Sequence, residues 1–440
     1  MGRRILAVSL LVASVAAACT STSSEPSTRF TPDISATPTV RPSTPGTVDA
    51  TSIDTRWPIK HVVFLIKENR TFDTLFGTFP GANGVSVGRD GGLPRRLVRG
   101  TDHTTPGDIP HCYECSIAAW NGGAMDGFDQ GENGDWAYTQ LRREQLPNYW
   151  RWAKRNVLFD NFFASAWGPS FPNHLYTIAA QSGKARENPR RTGFFSNTFG
   201  CDAPPEQLVE VYGPEGEVVK VPPCFDFATE GDLLNAAGIP WAYYAATERQ
   251  RGYIWNAFSA IERYRNDPDA WARFIRPVDT VLRDIRDQTL PPVTWITPRF
   301  ELSEHPEFSF CHGENWSTQV IDAIMRSPMW EHTAIFVTWD DYGGFYDHVP
   351  PPDVDRMGFG FRVPMVMLSP YAKQGHVSSE LGEFSSVLRF IEDNWELNYL
   401  THRDRDATPM LSAFDFDQAP RAPEPLPLRD DCIGPKFPDP

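Results

Sequence analysis

Thr333-Ala-Ile-Phe-Val-Thr-Trp339 runs directly into Asp340-Asp341-Tyr342-Gly343-Gly344-Phe345-Tyr346-Asp347-His348-Val349, and three prolines follow. The first seven residues are mostly apolar or β-branched, with no polar/apolar alternation. Such a run suits a strand covered on both faces, as in a parallel sheet. Two carboxylates arrive where the run stops, and Gly343-Gly344 lets the backbone turn sharply away. Ligands of open α/β sheets bind outside the carboxyl ends of the strands. Two acids placed there repel each other and lose hydration, at a cost of several kcal/mol unless a cation holds them. The pattern therefore predicts a divalent metal ion at this strand end.

Working outward, Ile59-Lys-His-Val-Val-Phe-Leu-Ile66 reads as a second buried strand and ends in Lys67-Glu68-Asn69-Arg70-Thr71-Phe72-Asp73. Glu68 and Asn69 stand just past it, as Asp340 and Asp341 do past theirs. An all-oxygen set converging from distant strands suits a hard or borderline divalent ion. The competing reading makes Asn69 a helix N-cap with acids near the helix start. A third constellation is Gly168-Pro169-Ser170-Phe171-Pro172-Asn173-His174-Leu175-Tyr176, which opens a helical pattern. Ser170 is either an ordinary N-cap or a nucleophile. In the second case the N–H groups and positive dipole of the helix end favour a phosphate or an alkoxide.

Residues 78–135 read as irregular and contain His103 and His111, with residues 120–128 as a loop laid over the site. A helix is predicted over 136–155, another over 230–238 ended by Gly238, and strands over 241–245 and 292–297. Residues 247–269 read as a polar, aromatic surface excursion. His305 follows the 292–297 strand and is a further site candidate, the plainer reading being a lone surface histidine. An amphipathic helix over 319–327 leads into the central strand, with a strand over 362–369 and a helix over 383–395 beyond it. Strand and helix alternate without repeat or internal boundary. The expectation is one α/β domain over residues 57–440, an α/β/α sandwich around a mostly parallel sheet.

The 440 residues are 40% hydrophobic and 13% aromatic, enough for a large core, and the net charge of -15 argues against nucleic acid as the main partner. Arg3-Arg4 precedes an apolar stretch over residues 5–18, too short to span a bilayer and suited to a signal-peptide core. The stretch ends Ala16-Ala17-Ala18-Cys19, which resembles a lipoprotein signal with a lipid anchor at Cys19. An ordinary secretory signal with an incidental cysteine is the alternative. Residues 19–56 are rich in Ser, Thr and Pro and are expected to form a disordered tether. Past Cys19 lie Cys112, Cys115, Cys201, Cys224, Cys311 and Cys432. An even number in an exported chain favours structural disulfides, with Cys201–Cys224 the first pairing; half a zinc site or a redox pair is the alternative for Cys112 and Cys115.

His61 to Asp73, the Gly168 to Tyr176 segment, and Asp340-Asp341-Tyr-Gly-Gly-Phe-Tyr-Asp-His348 with its prolines together resemble the bacterial phosphoesterase family. That family includes phospholipases C and an acid phosphatase branch on an alkaline-phosphatase-like fold, and Arg362-Val-Pro and Ser385-Ser-Val-Leu-Arg-Phe-Ile-Glu392 look like its C-terminal signature. The resemblance implies Glu68, Asn69, Asp340 and Asp341 as metal ligands. It implies Ser170, His305 and His348 as catalytic and His111 and His174 as substrate-binding. Two departures stand out: the common Asp-Glu-His-Gly-Gly motif is here Asp340-Asp341-Tyr342-Gly343-Gly344, and serine replaces the threonine usual among the phospholipases. Both lean toward the acid phosphatase branch. The expectation is an exported, metal-dependent phosphoesterase acting through a phosphoseryl intermediate. A phospholipase C and a non-catalytic surface lipoprotein are the alternatives.

If Cys19 carries a lipid, Cys19→Ser releases the protein from the membrane fraction with the specific activity of its folded body unchanged. Cell fractionation checks this, and retention of the variant would point to another anchor.

Overall fold

A computed structural model of the chain describes Gly2 and residues 50–102, 107–190 and 197–433. The expected signal peptide, Cys19 with its anchor, most of the tether, and His103 lie outside the described residues. Among the described residues no helix is long and apolar enough to cross a membrane.

Eight strands form the central sheet: β1 His61–Lys67, β2 Val157–Phe159, β3 Trp241–Ala245, β4 Ile275–Pro277, β5 Val293–Ile296, β6 Thr333–Trp339, β7 Met365–Leu368 and β8 His376–Ser378. They lie in the order β4-β3-β5-β1-β6-β7-β2-β8. All neighbouring pairs are parallel except those of β7, which runs antiparallel to both β6 and β2. Residues 340–364 bring the chain back without a crossover helix, so β7 must reverse.

The two strands read first from the sequence are the centre of the sheet. Every residue of β1 and β6 is buried. They pair in register from His61 opposite Thr333 to Lys67 opposite Trp339. Their carboxyl ends therefore coincide, and Glu68 and Asp340 emerge side by side.

Four helices cover the sheet: α1 Pro147–Arg155, α2 Ser170–Ala179, α3 Phe310–Arg326 and α4 Phe384–Trp395. Side chains of a strand alternate between faces. Phe64 and Phe336 meet Phe384 and Phe390 of α4, and Trp295 of β5 donates to Thr177 O of α2. Lys67 and Trp339 point the opposite way, against Trp316 of α3 and Tyr149 of α1. Helices thus lie on both faces, as the α/β/α reading requires. A second apolar cluster, with Ile109, Met125, Phe128, Tyr342, Tyr346 and Phe361, sits over the loop that follows β6.

Several local expectations change. The helix expected over 136–155 begins only at Pro147, after two short helical turns, because proline suits a first helical position. The helix expected over 319–327 starts earlier, at Phe310. The 247–269 excursion is not a surface feature throughout: Tyr253, Trp255 and Phe258 are buried in it. The chain packs onto the body from Ala50 rather than Trp57, with Lys60 Nζ donating to Ile53 O.

The cysteines pair as Cys112–Cys115, Cys201–Cys224 and Cys311–Cys432. A crosslink restricts the unfolded chain more as the loop it closes grows. With sequence separations of 121 and 3 residues, the chain-entropy contributions are about 5 kcal/mol for Cys311–Cys432 and about 2 kcal/mol for Cys112–Cys115. Replacing both cysteines of the first pair by serine lowers Tm more than replacing both of the second. Equal losses in thermal melts would contradict this.

Candidate active site

Ser170 is the first residue of α2, and Pro169 stands at the N-cap without a side-chain cap. The N–H of Phe171 is taken instead by Asn188 Oδ1 at 2.8 Å. The Ser170 hydroxyl is therefore free of capping duty. It donates toward Asp341 Oδ2 at 3.1 Å and Glu68 Oε2 at 3.5 Å. The preceding loop is held by Asn173, whose Oδ1 accepts from Ala166 N and whose Nδ2 donates to Ala166 O and Pro169 O. Gly168 takes φ +93°, and a Cβ there would lie 3.0 Å from Arg186 O. Glycine is what that turn admits.

Glu68, Asn69, Asp340 and Asp341 converge as expected, and all four are fully buried. Asn69 adopts φ 56°, a left-handed conformation in which its N–H reaches Asp340 Oδ1 at 2.9 Å and its Nδ2 reaches Asp341 Oδ1 at 3.2 Å. Gly343 N also donates to Asp341 Oδ1, at 2.6 Å. A Cβ on Gly343 would lie 2.6 Å from Asn69 Cβ, so the glycine allows the two strand ends to close on each other. The N-cap alternative for Asn69 falls away, since Thr71 caps the short helix Phe72–Phe76.

His174 lies one turn beyond Ser170 on the same face of α2. Its Nε2 is 2.8 Å from Glu68 Oε1 and 3.6 Å from Asp340 Oδ2. It thus sits inside the carboxylate cluster rather than in a separate substrate-binding position. Glu68, His174 and Asp340 each offer a ligand atom within 4.8 Å of the others. Burial, then the charges of Asp340 and Asp341, push the Glu68 carboxyl well above the usual range. Burial and Asp340 do the same to Asp341. Burial pulls His174 down to about 4, leaving a neutral imidazole suited to ligation. Among the described residues no lysine or arginine forms an ion pair with these three acids. Asn69 Oδ1 and Asp340 Oδ2 are buried without a hydrogen-bond partner. Two unused oxygens in a set of carboxylates without a lysine or arginine ion pair among the described residues fit a divalent ion.

The remaining histidines divide. His111 Nε2 is 3.2 Å from Asn69 Nδ2, and its Nδ1 is 2.7 Å from Ile109 O. Burial opposes its charging, but Asp108 and Asp341 prevail and push it up to about 9. Asp108 Oδ1 lies 3.6 Å from His111 Nδ1 and 3.9 Å from His305 Nε2, so it bridges the two. Nothing in the irregular 78–135 stretch marks Asp108 out from the other acids there. His305 stacks on Trp255 with ring centroids 6.1 Å apart. His348 stands elsewhere. Its Nδ1 is 2.6 Å from Asp73 Oδ2 and 3.2 Å from Arg362 Nη2, beside the doubly bonded Arg362–Asp347 pair. No contact among the described residues joins it to Ser170 or to Glu68, Asn69, Asp340 and Asp341. The Gly343-Gly344 turn carries the chain away before His348 is reached, and that residue is placed with Asp73 and Arg362.

Polar groups gathered beyond the carboxyl ends of a mostly parallel sheet make this an α/β protein of the carboxyl-end-site class. More particularly, the chain belongs to the phosphoesterase family, whose sequence profile matches residues 59–398. It is 27% identical over 435 residues to the hemolytic phospholipase C of Pseudomonas aeruginosa, covering 82% of this chain and 56% of that protein. It is 26% identical over 434 residues to phospholipase C A of Mycobacterium tuberculosis, covering 83% of this chain and 79% of that one. The chain thus spans little more than half the length of the Pseudomonas relative. Among solved structures, an alkaline phosphatase superfamily protein from Vibrio parahaemolyticus aligns with a TM-score of 0.36 and 10% identity, over 78% of this chain and 67% of that one.

Asp340→Asn keeps the shape of the side chain and removes one carboxylate charge. The variant should fold as the wild type does and bind Mn²⁺ at least about tenfold more weakly. Calorimetric titration checks this, and unchanged affinity would show that the cage is misassigned.

Proposed function

We propose that this chain is an exported, metal-dependent phosphoesterase of the acid phosphatase kind, hydrolysing phosphomonoesters through a phosphoseryl intermediate at Ser170. The observation that carries the reading is the Ser170 hydroxyl, released from capping and directed at Asp341 and Glu68. A divalent ion held by Glu68, Asn69, Asp340 and Asp341, with His174 beside them, would supply charge neutralisation and lower the pKa of the serine hydroxyl. Asp341 accepts the Ser170 proton as its oxygen attacks phosphorus, forming the P–O bond to serine as the bond to the leaving alcohol breaks. His111 and the start of α2 offset charge on the phosphoryl oxygens. His305 gives a proton to the departing alcohol, a step typically worth about 10²–10⁴-fold. Water then hydrolyses the phosphoseryl group. Export and a lipid anchor at Cys19 rest on the N-terminal sequence alone.

The names of the relatives favour a second reading, phospholipase C cleaving phospholipid head groups. Against it, Tyr342 stands where the common family motif carries histidine. Its ring packs against Phe361 and Phe128, with centroids 4.6 and 6.4 Å away, and gives the site no imidazole. Hydrolysis of p-nitrophenyl phosphate compared with phosphatidylcholine separates the two. A non-catalytic surface lipoprotein would have no use for an uncapped serine among buried acids.

Ser170→Ala should abolish most turnover with little change in Tm, whereas losing a mere cap would cost only about 0.5–2 kcal/mol of stability and spare the rate. Ser170→Thr keeps a hydroxyl and should retain partial activity. Acid quenching during turnover should trap a phosphorylated Ser170 peptide. Near wild-type turnover by Ser170→Ala would overturn the covalent route.

A further inference from the structure

Directly beneath the acid cluster lies an ion pair that neither the metal set nor the serine accounts for. Lys67 and Glu304 are both fully buried, with Lys67 Nζ 3.2 Å from Glu304 Oε1. Lys67 Nζ also donates to Leu302 O at 2.6 Å and Gly313 O at 3.2 Å. Glu304 accepts from Tyr149 Oη at 2.7 Å on one oxygen and from Trp339 Nε1 at 3.0 Å on the other. Its stem occupies the space that a side chain at Gly313 would fill. A buried ion pair is poor evidence of stabilisation, since well-packed apolar residues often serve as well.

Position gives the pair its meaning. Lys67 is the last residue of β1 and precedes Glu68; Glu304 precedes His305; Trp339 precedes Asp340. Glu68 N donates to Ser303 O at 3.0 Å, and His305 N donates to Ser303 Oγ at 3.1 Å. Glu304 itself holds φ 73°, and Asn69, two residues past Lys67, holds φ 56°. A left-handed conformation is unfavourable for a residue such as glutamate and less so for asparagine. Such conformations persist where the surroundings over-determine them, commonly at functional sites.

We infer that Lys67 and Glu304 form a positioning pair, which locks the ends of β1, β6 and the β5–α3 connection so that Glu68, Asp340 and His305 meet in one geometry. The pair touches no reacting atom and acts through those three residues. The inference rests on the metal-dependent reading of the site.

A double-mutant cycle tests it in the full chain, with Lys67→Met, Glu304→Gln and the two combined. Each single variant leaves a buried charge alone and should melt several degrees lower. The double variant removes both charges and should regain most of the Tm. Positioning would stay lost, so its Mn²⁺ affinity, read by the EPR signal of the bound ion, should remain about 10–100-fold weaker than wild type. Its kcat on p-nitrophenyl phosphate should fall with it. Recovery of affinity and kcat together with Tm would show a purely structural pair and overturn the inference. Should the double variant fail to fold, Tyr149→Phe keeps the ring and removes only the hydroxyl, which bonds Glu304 Oε1 and Ser317 Oγ. That variant should weaken Mn²⁺ binding at a Tm close to wild type, and unchanged affinity would overturn the inference. A wild-type chain that binds no Mn²⁺ would overturn the metal reading itself. That outcome differs from wild-type binding that the variants share.

Discussion

Glu68, Asp340 and Asp341 share a corner closed to water, and like charges in such a place repel by several kcal/mol. In-register pairing of two seven-residue strands puts them there. The chain answers with neutral donors, the N–H groups of Asn69 and Gly343, the Ser170 hydroxyl and the His174 imidazole, and with the His111 imidazole, whose charged form Asp341 favours. The first three of those donors depend on an unusual local choice: a left-handed asparagine, a glycine against a neighbouring Cβ, and a helix start capped from elsewhere. The acids thus dictate the conformations around them.

A second knot of acids a short way along the chain is resolved differently. Asp73 and Asp347 are also fully buried, but Arg362 lies between them, 2.8 Å from Asp347 Oδ1 and 3.6 Å from Asp73 Oδ1. Here the chain supplies its own cation, and His348 completes a closed network. In the first corner no lysine or arginine among the described residues forms an ion pair with the acids, and the proposed divalent ion would supply the positive charge that Arg362 supplies here.

The strands were legible wherever the apolar run was continuous, because a strand covered on both faces tolerates little polarity. β1, β3, β5 and β6 belong to this class, and with them came Glu68, Asn69, Asp340 and Asp341. Ser170 was legible as a residue but not as a role, because only the three-dimensional fold shows what its hydroxyl faces. His174 carried a usable signal, its four-residue offset from Ser170 on a helix. For His348, proximity in sequence to Asp341 does not carry into the fold, because a two-glycine turn intervenes. Asp108 and the buried aromatics around Trp255 lay in stretches without periodicity, where burial is set by partners distant in sequence.

The reversal of β7 has a consequence for the serine. β2 lies three strands from β1, so residues 160–169 must cross the ends of β7 and β6 to bring Ser170 home. A parallel strand would present its end at that edge, whereas β7 presents its beginning. The residues leading into it fasten the crossing: Arg362 Nη1 donates to Asp160 O, Ala164 N to Phe361 O and Trp167 N to Met357 O. On the proposed reading of Ser170 as nucleophile, a crossing tied at three points has little freedom left to surrender when a phosphoester arrives. The entropy of orienting the serine oxygen is then met during folding, and not charged again at every turnover.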